Sequence, residues 1–159
     1  MNVSHEKAWN PEVAQQRIAE QLHLDGALLP ILHALQEEFG YVDEAAEPLI
    51  ATALNRSRAE IHGVVTFYHD FRRIPAGRHV LKLCRAEACQ AAGGDVLAER
   101  AQARLGVALG ETAADGRVTL EPVYCLGLCA VAPSAMFDGR VVGRLDEKRL
   151  DALVAEAER

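Results

Sequence analysis

Apolar residues recur at helical spacing through the first half of the chain. Between residues 11 and 22, Val13, Ile18 and Leu22 fall near one face. Pro11 suits the first turn there, because its missing N–H would have no partner in a helix anyway. A second helix is predicted over 27–39, with Pro30 in its first turn and Leu28, Ile31, Leu32 and Leu35 as its stripe. Gly40 ends it, since glycine accepts the left-handed conformation that closes a helix. A third helix, over 44–54, turns Leu49, Ile50 and Ala53 inward. A fourth opens at Ser57, where Ser57-Arg58-Ala59-Glu60 has the form of a capping box. Four short helices of this kind make a small bundle.

The periodicity changes near Ile74-Pro75-Ala76-Gly77. Residues 79–83 (H-V-L-K-L) alternate as a strand and deliver Cys84 at its end. A helix follows, beginning at Ala88 or at the latest by Val96 and reaching Leu105, with Gly106 as its stop. Asp115-Gly116 marks a turn into a strand over 117–123, which ends just before Cys125. Residues 134–137 and 140–144 flank Asp138-Gly139, a pair that favours the tight turn of a hairpin. Asp146 caps a last helix with Leu150, Leu153, Val154 and Ala157 on one face. The expected class is α+β: a helical bundle over 1–76, then a domain over 77–159 with a thin sheet and helices packed on it. Each cysteine pair follows a predicted strand, so neighbouring strands would bring the pairs together.

Composition narrows the function. Half of the chain is hydrophobic, enough for a core without disulfide staples. The net charge is −6 and no run of Lys or Arg is present, which argues against nucleic acid as a partner. Residues 1–10 are polar and carry no apolar signal core, and no apolar run approaches the roughly 20 residues of a membrane span. A reducing, cytoplasmic setting without direct membrane insertion is therefore expected. No G-x-G-x-x-G loop is present, so NAD is not expected on this chain. The carboxylates form no acid–base pair, and no catalytic residue is expected. The six histidines form no ligand-like pair; His62 and His69, flanking Thr66-Phe67-Tyr68, read as surface or packing residues. Phe67 is expected in packing, while Tyr68 and Phe71 are left between packing and a partner surface.

The chemistry lies in the four cysteines. They form two short clips, C-R-A-E-A-C (Cys84 and Cys89) and C-L-G-L-C (Cys125 and Cys129). Disulfides would need oxidising surroundings, and a thioredoxin-type dithiol needs C-x-x-C, which neither clip has. Structural zinc accepts two to four residues between ligands, a range that both clips meet. A [2Fe–2S] cluster offers two irons, each taking two thiolates, so two clips map onto two irons. Gly127 permits tight wrapping and leaves amides free for cluster sulfurs. Arg85 and Glu87, inside the first clip, are either ordinary exposed charges or part of a docking surface.

The pattern C-x4-C followed by C-L-G-x-C resembles the thioredoxin-like [2Fe–2S] ferredoxins, in particular the 24-kDa-type subunit of NADH dehydrogenases. Gly63-Val64-Val65-Thr66-Phe67-Tyr68 with Phe71 matches the family's G-V-x-T-F-Y-x-x-F segment. Gly110-Glu111-Thr112, Asp115-Gly116-Arg117 and Cys125-Leu126-Gly127 match as well. The resemblance implies an N-terminal helical bundle and a C-terminal thioredoxin-like domain, with one [2Fe–2S] cluster on Cys84, Cys89, Cys125 and Cys129. Respiratory members usually read C-x-G-T-x-C-H at the first clip. The A-E-A-C-Q form here, with C-L-G-L-C-A-V-A-P-S-A and D-G-R-V-V-G-R-L, is similar to the gamma subunit of soluble NAD-dependent formate dehydrogenases. That resemblance implies two partners: a beta-type subunit with FMN, NAD and further Fe–S clusters, and an alpha-type catalytic subunit with molybdenum or tungsten. The corresponding subunit of NADH:quinone oxidoreductase or of a bidirectional NAD-linked hydrogenase is the related alternative. A zinc-stabilised interaction module is the alternative of another class.

Overall fold

The computed structural model describes residues 8–159. Residues 1–7, including His5 and most of the polar stretch expected not to be a signal peptide, lie outside the described residues. The chain divides into two compact units, one ending at Pro75 and the other running over Ala76–Arg159.

The first unit contains α1 (Pro11–Gln21), α2 (Leu28–Phe39), α3 (Ala46–Leu54) and α4 (Arg58–Phe67). Asn10 opens α1 by accepting the N–H groups of Glu12 and Val13 at 2.9 and 3.2 Å. Gly40 closes α2 at φ +82°, and the capping box at Ser57 and Glu60 is complete. The core gathers Ala14, Ile18, Ile31, Leu32, Leu35, Phe39, Ile50, Ile61 and Val65. Three expected positions differ. Leu22 follows the last turn of α1 and is exposed. α3 begins two residues late, and its buried row is Ala46, Glu47, Ile50 and Ala51, which leaves Ala53 exposed at the edge. Phe67 is 72% exposed rather than packed, because Ile61 and Val65 set the inward face of α4 and Phe67 stands about 200° around from Val65. Phe71, just beyond the helix, takes the core position instead.

Glu47 is the buried charge of this unit. Its Oε1 lies 2.7 Å from Arg73 Nη2 and 3.2 Å from His62 Nδ1. Removing one partner of a buried pair leaves an uncompensated charge. Arg73→Ala is therefore expected to destabilise the protein by about 3 kcal/mol, with exposed His62 limiting the loss. Urea unfolding of the two proteins measures it; a change below about 0.5 kcal/mol, the scale of ordinary surface substitutions, rejects this role for the pair.

The second unit is a mixed five-stranded sheet in the order β2 (Glu111–Thr112), β3 (Val118–Val123), β1 (His79–Cys84), β4 (Ala135–Phe137), β5 (Arg140–Val142). β1 runs parallel to β3, and β4 lies antiparallel on its other side. β2 edges β3, and β5 edges β4. Leu81, Leu83, Val118, Leu120, Ala135 and Phe137 share a core with α6 (Gly94–Leu105) and α7 (Glu147–Ala157). The hairpin turn is as its residues require: Asp138 and Gly139 both have positive φ, at +47° and +81°. Asp146 caps α7 by accepting the Arg149 N–H at 2.8 Å. Asp146→Ala is expected to cost about 1 kcal/mol, read from the thermal midpoint.

One predicted helix is in fact two. α5 (Glu87–Ala91) is a single short turn carrying Cys89, and Gly93 at φ +88° breaks the path before α6 begins at Gly94. β2 and a 3-10 turn over Cys129–Val131 were not anticipated either. Two residues of strand and three of turn are too short to leave a periodic signal.

Candidate metal centre

The register of the sheet explains how distant cysteines meet. Cys84 is the last residue of β1 and pairs with Val123, the last residue of the parallel β3. The chain leaves β3 through Tyr124 straight into Cys125. Two parallel strands thus end side by side and release their loops on the same edge, where open α/β sheets place ligands. The edge is pinned on both sides of β1: Arg85 donates its N–H to Val123 O at 2.8 Å, and Cys84 donates its N–H to Ser134 O at 3.0 Å.

The first clip is compact and buried. Cys84 and Cys89 are 4% and 2% exposed. Gln90 Nε2 donates to Arg85 O at 2.7 Å and closes the loop between them. Gly94 packs on the Cys89 backbone so closely that a Cβ there would stand 2.6 Å from Cys89 O. The second clip is open: Cys125 and Cys129 are exposed, with their sulfurs 3.7 Å apart. Cys125 takes φ +96° and Gly127 φ +75°, so the loop curls back and the Gly127 N–H donates to Cys125 Sγ at 3.4 Å. Tyr124 beside it is 75% exposed.

Electrostatics tie the clips into one site. Burial pushes the Cys84 thiol up, but the Ala86 N–H, the Cys89 thiol and the N–H groups of Cys125 and Leu126 together outweigh it, and Cys84 lies below the ordinary thiol value. Two of those amides belong to the second clip. Cys129 is held above the ordinary value, first by its hydrogen bond with Cys125 and the charge there, then by desolvation and by the charges of Cys89 and Cys84. The two clips therefore act on each other: amides of the second reach Cys84, and the sulfurs of the first reach Cys129. Among the described residues, no three His, Cys, Asp or Glu side chains close around one ion-sized point. The sulfurs stand as two pairs.

Sulfurs 2.3 Å from a shared tetrahedral metal are about 3.8 Å apart, and the Cys125–Cys129 spacing is 3.7 Å. The donor set, four thiols in two pairs with amides turned toward them, fits a two-metal sulfur-rich group. The thioredoxin-like [2Fe–2S] ferredoxin family matches the chain over residues 14–158. The chain belongs to that family. As a thioredoxin-like ferredoxin it is an electron-transfer protein whose cofactor is one [2Fe–2S] cluster.

Its relatives are subunits of oxidoreductases. The E subunit of the NADH-quinone oxidoreductase of Pseudomonas aeruginosa is 39% identical over 70% of this chain and 68% of its own length. The HndA subunit of the NADP-reducing hydrogenase of Solidesulfovibrio fructosivorans is 30% identical over 83% of this chain and 77% of its own. A crystal structure of an NAD+-reducing [NiFe]-hydrogenase in the H2-reduced state superposes with a TM-score of 0.72 at 30% identity. The match covers 82% of this chain and 22% of that one, so this ferredoxin spans about a fifth of the hydrogenase chain.

Of the other residues singled out by sequence, Arg85 pairs with Asp95, its Nη1 2.9 Å from the carboxylate. Glu87 is exposed. His62 is an exposed partner of Glu47, and His69 is exposed. Sequence reasoning missed Ser134 and Gly94, which touch Cys89 from two sides. Neither belongs to a cysteine clip, and only the S-A step into β4 and the G-G step before α6 mark them. No helix among the described residues is long and apolar enough to cross a membrane.

Proposed function

We propose that this ferredoxin is the non-catalytic electron-transfer subunit of a soluble, cytoplasmic NAD-dependent formate dehydrogenase. Cys84 and Cys89 hold one iron of its cluster, and Cys125 and Cys129 hold the other. The observation that carries the ligand assignment is the pairing of the thiols at the ends of two parallel strands in register. The A-E-A-C-Q clip supports the choice of complex. The domain division follows: a helical bundle over 1–76 and the ferredoxin domain over 77–159.

When bound, the cluster takes up and gives back single electrons. The chain's own work is to hold it and to set its surroundings. The first clip buries its sulfurs and lines them with amides, which favour added negative charge. The second clip and Tyr124 are exposed, and they give the cluster its route to a beta-type partner bearing FMN and NAD. Formate is oxidised at a molybdenum or tungsten site in an alpha-type subunit.

The Pseudomonas aeruginosa relative and the hydrogenase structure favour a second reading, the corresponding component of an NADH:quinone oxidoreductase or an NAD-linked hydrogenase. Elemental analysis of the native complex, captured through a tag on this chain, separates them. Iron with molybdenum or tungsten supports formate dehydrogenase. Iron with nickel supports a hydrogenase, and iron with neither supports a quinone-reducing complex. Zinc without iron rejects all three.

A further inference from the structure

Ser134 is one of three buried polar side chains among the described residues, at 2% exposure. Its place is set by the sheet: it immediately precedes β4, whose Ala135 pairs with Leu83 of β1. From there it reaches both cysteines of the first clip. Its carbonyl accepts the Cys84 N–H at 3.0 Å, and its hydroxyl lies 3.5 Å from Cys89 Sγ. The other buried hydroxyl, Thr119, is occupied by Thr112 and the Gly77 N–H. The Ser134 hydroxyl makes no other hydrogen bond among the described residues.

We propose that Ser134 is a positioning residue for the redox centre: its hydroxyl donates to the Cys89 sulfur and makes the cluster easier to reduce. This rests on the ligand assignment above. A ligating cysteine is a thiolate and only accepts, so the hydroxyl must be the donor. Reduction brings one electron from a donor, the flavin partner in the complex or dithionite in an assay. It adds one negative charge shared over the sulfurs, and no bond breaks. A fixed O–H dipole aimed at one of those sulfurs stabilises the reduced form more than the oxidised one. Cys89 and Ser134 are each 2% exposed, so the dipole between them is weakly screened. A serine that served packing alone would leave the potential where it was.

The test is a spectropotentiometric titration of the full chain, wild type against Ser134→Ala and Ser134→Thr. Ser134→Ala should lower the equilibrium constant for reduction about threefold to tenfold, a tenfold change being 59 mV for one electron. Ser134→Thr, which keeps the hydroxyl, should recover most of it. Resonance Raman bands of the iron–thiolate stretches should shift on exchange into D2O, and part of that shift should vanish in Ser134→Ala. An unchanged potential at full cluster occupancy overturns the proposal, and so does an equal fall in both variants. An unchanged D2O response in Ser134→Ala also overturns it. If the wild type itself shows no [2Fe–2S] chromophore, the ligand assignment falls first and takes this role with it.

Discussion

Cys125→Ser strips the protein of most of its iron and colour while leaving the helical unit intact. Iron should fall from about two per chain toward none, because losing one thiolate leaves one iron without its pair. Serine keeps the size of the side chain but supplies a hydroxyl, which is a much weaker ligand for iron at neutral pH than a thiolate. The position adds to the effect. Cys125 sits at φ +96° on an exposed loop, and its sulfur accepts the Gly127 N–H and neighbours Cys129 at 3.7 Å. The shorter C–O bond also sets the hydroxyl oxygen back from the place of the sulfur. The helical unit ends at Pro75 and has its own core, so its unfolding transition should not move. Iron analysis, the visible spectrum and far-ultraviolet circular dichroism read all three expectations. Unchanged iron and an unchanged spectrum would count against the assignment of this clip.

The fold was legible wherever one physical rule dominated a segment. Capping at Ser57 and Asp146, the stop at Gly40 and the Asp138-Gly139 turn all depend on local hydrogen bonds or on φ, and a few residues encode them. The stripe of α7 appeared as read: Leu150, Leu153, Val154 and Ala157 are its buried residues and join the core of the second unit. Legibility failed where the answer depends on phase or on distant contacts. Phe67 carries the composition of a core residue, but its direction depends on where α4 stops. The burial of a carboxylate at Glu47 has no local signal, since its guanidinium partner is Arg73, beyond the end of α4. At the site, four cysteines and their grouping were visible, and so was their position after two strands. The asymmetry between a buried clip and an open one was not. It follows from the pairing of β1 with β4 and the packing of α6 against Cys89, both of which are tertiary.

Gly94→Ala is the sharper test of that packing, because two effects of opposite sign compete there. Alanine improves helix propensity over glycine by up to about 1 kcal/mol in a helix interior, and by less at a first helical position such as this. Against it stands a Cβ placed 2.6 Å from Cys89 O and 3.0 Å from Cys89 C. Those atoms are backbone and cannot swing aside, so either α6 or the cysteine clip must move by several tenths of an ångström. Overpacking of this kind costs about 1–3 kcal/mol, which outweighs the propensity gain. The strain falls on the residue that holds Cys89 in place. The expected result is a lower thermal midpoint together with several-fold faster release of iron to a chelator. Gly93→Ala is the control: nothing stands within 4 Å of its Cβ, but φ is +88°. It should cost about 1–2 kcal/mol through backbone conformation while disturbing iron release much less. If Gly94→Ala instead raises the midpoint and leaves iron release unchanged, propensity has won, and the close approach of α6 to Cys89 does not restrain the centre.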